Sequence, residues 1–225
     1  MPRILLRILV CVALASAVPA MSAMAQPLDA AQFSAEGVAA YDKGDLTEAA
    51  RLFELGARGG NRLASFNYAM MLYRGEIDSD ESNAAWRWLR RAAQAGLAQA
   101  QYNFGLLYEH GDGVKRDYAV AHEWFGRAAG QGLRDAQMSL ATQYFVGQGV
   151  PRDYRLAARW YQAAAEAGDP GAQYIIGHMF EEGYGKDKDT RLAAYWYRQA
   201  AEQGDPAARI KYETLSAELK AAAGR

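Results

Sequence analysis

Residues 100–135 read AQYNFGLLYEHGDGVKRDYAVAHEWFGRAAGQGLRD, two short helical patterns joined by a glycine-containing loop. The same pattern returns on both sides of this stretch. Ala64, Ala100, Ala136, Ala172 and Ala208 stand 36 residues apart. Leu52, Trp88, Trp124, Trp160 and Trp196 keep that interval, as do Gly60, Gly96, Gly132, Gly168 and Gly204. Three ladders with one period do not arise from composition. A period in this range marks a solenoid of stacked helix pairs, in which each unit buries its apolar face only against its neighbours.

The punctuation fits that reading. The first helix of each long unit runs from the ladder alanine to Gly75, Gly111, Gly147 or Gly183, where glycine suits the left-handed residue that closes a helix. Asp45, Glu81, Asp117, Asp153 and Asp189 recur at the start of the second helices. An aspartate there accepts the free N–H groups of the first turn and complements the helix dipole. Glutamate caps poorly, so Asp80 or Ser82 is expected to stand in for Glu81. Asp169-Pro170 and Asp205-Pro206 place a cap and then a proline, which the first helical position tolerates.

On the first helices Ala100, Phe104, Gly105 and Tyr108 share one face, and on the second helices Ala121, Trp124, Phe125 and Ala128 do the same. Large residues alternate with small ones, so the helices are expected to interlock. A tryptophan row could bind a sugar, but repetition at the packing period favours core for the indoles. From Ala208 the chain begins another first helix and then departs from the pattern. Glu213 and Ser216 stand where earlier units have small and aromatic residues. That suits a terminal cap with a polar outer side, and Ala221–Arg225 is expected to fray.

The amino terminus reads as an address. Arg3 and Arg7 precede the apolar run Ile8–Val18, and Ala23-Met24-Ala25 supplies small residues ahead of Gln26. This is the plan of a secretory signal peptide over residues 1–25, cleaved after Ala25. The apolar run is too short for a bilayer span of roughly 20 residues. Cys11 is the sole cysteine and lies inside it, so the mature chain relies on packing rather than crosslinks. Removing residues 1–25 leaves 23 basic against 26 acidic side chains, a net charge of −3. No overall field attracts nucleic acid or an anionic membrane.

AQYNFGLLYEHGDGVKRDYAVAHEWFGRAAGQG and AQYIIGHMFEEGYGKDKDTRLAAYWYRQAAEQG resemble Sel-one-like repeats, a branch of the tetratricopeptide superfamily. The matching features are the Ala-Gln start, the small residue five places on, the Gly-x-Gly loop, the loop aspartate, the aromatic pair and the Ala-Ala-x-x-Gly end. The unit at 29–60 has a shorter turn and resembles a plain tetratricopeptide repeat. Units 64–99, 100–135, 136–171 and 172–207 take the longer form, and 208–225 is the capping helix. GEIDSDESN replaces the Gly-x-Gly loop in the second unit. The resemblance implies an all-α, right-handed superhelical solenoid of antiparallel helix pairs over residues 26–225, acting as a scaffold or adaptor. It also implies envelope signalling, assembly or host contact for an exported bacterial member.

In that arrangement the first helices line a concave groove. The residues off the packing stripe there are Phe66, Met70, Tyr73 and Arg74; Tyr102, Leu106, Glu109 and His110; Met138, Thr142, Phe145 and Val146; and Tyr174, His178, Glu181 and Glu182. The offset-2 aromatics match the repeat pattern and are expected to pack. Met70, Tyr73, Arg74, Leu106, Glu109, His110, Thr142, Phe145, His178 and Glu181 are therefore the expected partner-binding positions. The expected partner is a protein or peptide segment with apolar anchors and basic residues opposite Glu109, Glu181 and Glu182. No nucleic acid, integral membrane segment or cofactor is expected, and the protein is expected to be a monomer.

Enzyme chemistry finds little support. Cysteine-rich exported relatives are called β-lactamase-like, but this chain lacks their cysteines, and it has no Ser-x-x-Lys or Gly-x-Ser-x-Gly. A hydrolase acting on β-lactams or cell wall is therefore disfavoured. His178, Glu181 and Glu182 share a helix face, yet one histidine with two carboxylates from one turn reads better as a solvated face than as a metal site. His122 is expected to pack or face solvent. Gly183-Tyr184-Gly185-Lys186 lacks the ending and the preceding strand of a phosphate loop.

Overall fold

A computed structural model describes residues 29–78 and 83–224. The expected signal peptide, its expected cleavage point and the expected cap at Asp80, Glu81 or Ser82 lie outside the described residues. Within them there are eleven helices and no strand, an all-α solenoid of helix pairs. The described residues divide into two compact units, one ending at Ala100 and the other starting at Gln101.

The first unit holds α1 (Ala30–Asp42), α2 (Leu46–Arg58), α3 (Arg62–Arg74) and α4 (Ala84–Gln94), each packed on the next. Its core is Ala49, Phe53, Ala57, Ala64 and Met71. Helix α4 starts two residues later than the aspartate ladder would place it, and Asn83 at its head makes no side-chain capping bond. The helix α5 (Ala98–His110) follows, its residues from Gln101 belonging to the second unit. That unit continues with α6 (Tyr118–Gly130), α7 (Arg134–Val146), α8 (Tyr154–Glu166), α9 (Pro170–Glu182), α10 (Thr190–Glu202) and α11 (Pro206–Ala223). From α6 onward each helix packs on its successor.

The caps follow the ladder. Asp45, Asp117, Asp153 and Asp189 each accept backbone N–H groups of the turn they open. Asp169 and Asp205 do so ahead of a proline in the first turn. First helices begin two residues before the ladder alanine, and Gly75, Gly147 and Gly183 close them at φ of 67°, 78° and 81°.

The tryptophans depart from expectation. Trp88, Trp124, Trp160 and Trp196 are half-buried, and the residue after each one is buried: Leu89, Phe125, Tyr161 and Tyr197. The reason is geometric. That residue drops onto a small residue near the middle of the preceding first helix, so a Cβ placed on Gly37, Gly105 or Gly177 would lie 2.6 Å, 2.7 Å or 3.1 Å from Phe53, Phe125 or Tyr197. The indole beside it lies at the margin of the stack. Trp88 and Trp124 meet Tyr68 and Phe104 edge-on at 5.9 Å and 5.1 Å, and the Arg91 and Arg127 guanidiniums cover them. At the carboxyl end α11 buries Ala208 and Leu215 against the last core and leaves Glu213 exposed. Its helix continues to Ala223.

Candidate functional site

In the first unit the face of α3 separates its three candidates. Tyr73 is 54% exposed, whereas Met70 is only 9% exposed and lies with Phe53, Phe66 and Asn67 around a small recess. Met70 is therefore packing rather than a contact offered to solvent, because α3 turns that position toward α2. Arg74 is half-buried. Its Nη1 lies 3.3 Å from the Tyr41 hydroxyl and 3.6 Å from Glu76, and Tyr41 itself donates to Glu76 at 3.0 Å. Burial, then the bond to Glu76, pushes the Tyr41 phenol above its usual range. The pairing of Tyr41 with Glu76 was not legible in the sequence, since the two sit in different repeats and no ladder links them.

In the second unit Leu106 is half-buried against the Phe125–Leu140 cluster, and His110 is exposed. Burial raises the Glu109 carboxyl above the usual carboxylate range, while His110 and the Gln143 amide pull it back part of the way. Gln143 is buried where other units carry Leu107 or Met179, and its Oε1 lies 3.0 Å from His122 Nδ1. The His122 ring stands edge-on to Tyr144 at 5.0 Å, so this histidine packs.

Helices α7 and α9 bring the remaining candidates onto one aromatic surface. Thr142 is exposed, with its hydroxyl 2.9 Å from that of Tyr161. The Phe145 ring meets Tyr154 at 5.1 Å and Tyr184 at 6.3 Å, and His178 stands 6.1 Å from Tyr184. Val146 beside them is 55% exposed and Tyr184 39%.

Glu181 does not stand open to a partner's cation as expected. Lys211 Nζ donates to its two carboxylate oxygens at 2.8 Å and 3.0 Å, and the Tyr197 hydroxyl donates at 2.6 Å. Burial alone would raise this carboxyl, but the Lys211 and Tyr197 bonds outweigh it and hold it below the usual value. The physical reason is the terminal helix, whose Lys211 reaches back 30 residues. One ligand atom from each of His178, Glu181 and Glu182 can lie within 4.8 Å of the others. With His178 Nδ1 3.6 Å from Glu181 and the Lys211 ammonium on the same carboxylate, a metal ion there would compete with a cation already in place.

A family model described as Sel1 repeat matches residues 19–61, 62–97, 98–133, 134–169 and 170–205. The fold is similar to that of a protective antigen present in uropathogenic Escherichia coli strains displaying an SLR fold. The TM-score is 0.76 and the identity 35%, with 82% of this chain and 40% of that chain covered. A Sel1 repeat protein from Oxalobacter formigenes aligns at a TM-score of 0.71 and 32% identity, covering 80% of this chain and 76% of that one. The present chain thus spans less than half the length of the E. coli protein. No curated protein matches the sequence.

Proposed function

The chain belongs to the Sel1 repeat family, and we propose that it is an exported scaffold that captures a protein segment on the face formed by its first helices. Sel1 repeat proteins are typically protein–protein interaction scaffolds and generally non-catalytic. The observation that carries the reading is the apolar surface left on this face. On α7 Val146 is 55% exposed next to the half-buried Phe145, and in the first unit Tyr73 on α3 is 54% exposed. In each unit an exposed apolar side chain on a first helix can anchor a partner segment. The partner's anchors would be apolar or aromatic. The carboxylate still open to its basic groups is Glu182, because Lys211 neutralises Glu181 and Glu109 is half-buried. The protein acts as a monomer in this reading and needs no cofactor.

Export rests on residues 1–25, and among the described residues no helix is long and apolar enough to cross a membrane. The setting would be the periplasm or the exterior, in envelope signalling, assembly or host contact. Two experiments test these points. A photoreactive amino acid at Tyr73 or Val146 should give a discrete adduct in the native envelope, and at Tyr195 on α10 it should give none. Adducts from Tyr195 alone would reject the first-helix face. Mass determination of the protein recovered from cells should give a chain beginning at Gln26, and an intact amino terminus would reject the signal peptide.

A further inference from the structure

The loops of the second unit form a surface that the first-helix reading does not use. Three of them close alike, with Arg116-Asp117, Arg152-Asp153 and Lys188-Asp189, at intervals of 36 residues. In each pair the acid turns inward. Asp117, Asp153 and Asp189 give their carboxylates to the first-turn N–H groups of α6, α8 and α10. The cation is left outside. Arg116, Arg152 and Lys188 are exposed, and none of them makes an ion pair among the described residues.

Sterics fix where these cations stand. Each stem lies over the left-handed glycine that closes the preceding helix, so a Cβ on Gly111, Gly147 or Gly183 would come within 3.3 Å, 3.2 Å or 3.0 Å of it. The Arg116 and Arg152 guanidiniums then stack on Tyr118 and Tyr154 at 5.7 Å and 5.2 Å. Successive loops touch. Gly149 packs against the backbone carbonyl of Tyr118, Gly185 against that of Tyr154, and the Tyr154 and Tyr184 rings lie 5.5 Å apart. The result is a continuous row of held cations and tyrosine faces along one edge of the repeats.

We propose that this loop edge docks an acidic peptide segment of a partner protein, with carboxylates on Arg116, Arg152 and Lys188 and apolar or aromatic side chains between the tyrosines. A stacked guanidinium presents its N–H fork to a carboxylate with little ordering left to do. Tyrosine and arginine are the residues that interface cores favour. A planar anionic membrane or a nucleic acid fits less well, because Asp112 and Asp187 share the edge and the chain as a whole is not basic.

The test uses a fluorescent Glu-rich peptide with interspersed tyrosines, a Lys-rich counterpart, and vesicles containing phosphatidylglycerol. Anisotropy should show the full-length protein binding the acidic peptide, with weakening as salt is raised, and ignoring the Lys-rich one. The triple variant R116E/R152E/K188E should lose at least about tenfold in affinity. R116K/R152K, which keeps the charge but not the planar stack, should fall between. Circular dichroism melts confirm that these exposed changes leave the fold intact. Equal binding of both peptides, an unchanged triple variant, or vesicle binding without peptide binding would each overturn the proposal. Replacing Tyr73 with serine should leave this binding unchanged, so the first-helix surface and the loop edge stand or fall separately.

Discussion

Gly105 of α5 lies against the ring of Phe125 of α6 so closely that a Cβ on the glycine would come 2.7 Å from the ring and 3.3 Å from the Ala121 carbonyl. Phe125 is fully buried and cannot move aside. Gly105→Ala is therefore expected to destabilise the protein by about 1–3 kcal/mol in urea unfolding, the usual cost of overpacking. Gly126→Ala, next to Phe125 in the chain but turned away from this contact with nothing within 4 Å of a new Cβ, should instead stabilise by about 0.5–1 kcal/mol. Equal effects from the two substitutions would contradict the socket geometry.

The same socket ranks the aromatic pair. Phe125→Ala should cost about 3–5 kcal/mol because it empties a fully buried site. Trp124→Ala should cost less, since that indole is half-buried between Phe104 and the Arg127 guanidinium. Denaturant midpoints of the two variants check the order, and a larger loss at Trp124 would restore the ladder tryptophans as the core.

Asp153 accepts from Arg155 and Leu156 at 2.8 Å and 3.0 Å at the head of α8. Asp153→Ala should lower stability by about 1 kcal/mol, and Asp153→Asn by much less, because asparagine caps nearly as well. A stability unchanged in the alanine variant would mean that the cap contributes nothing there.

Two glutamates should titrate with opposite signs. The folded Glu181 carboxyl lies below its usual value of 4.5 through Lys211 and Tyr197, against the pull of burial. Its stabilisation is present above that value and lost as pH falls through the folded value. Burial holds the folded Glu109 carboxyl above 4.5, so its ionised form is penalised at neutral pH and the penalty is absent below the unfolded value. Glu181→Gln should lower Tm at neutral pH and Glu109→Gln should raise it, with both curves meeting wild type in acid. Parallel curves across the whole range would refute the assignment.

How far the sequence could be read depended on range in the chain. The caps at Asp117, Asp153 and Asp189 and the closing glycines act within one turn of helix, and local spacing exposed them. Which member of each aromatic pair is buried was not legible, because Trp124 and Phe125 are adjacent and differ only by the 100° that separates neighbours on a helix. The burial of Met70 depends on the rotation of α3 against α2, which no local pattern records.

Taken alone, the 36-residue recurrence determined that this chain is a stack of helix pairs, where each helix ends or begins to within about two residues, and which residues are small so that others can enter. Contacts between helices far apart in sequence needed the tertiary structure. Lys211 closing on Glu181, His122 on Gln143, and Arg152 held over Tyr154 while Asp153 turns inward all depend on how side chains point once the helices have packed. A periodic pattern encodes which face of a helix is buried. The pairing of individual charges across faces depends on orientations that arise only when neighbouring repeats meet.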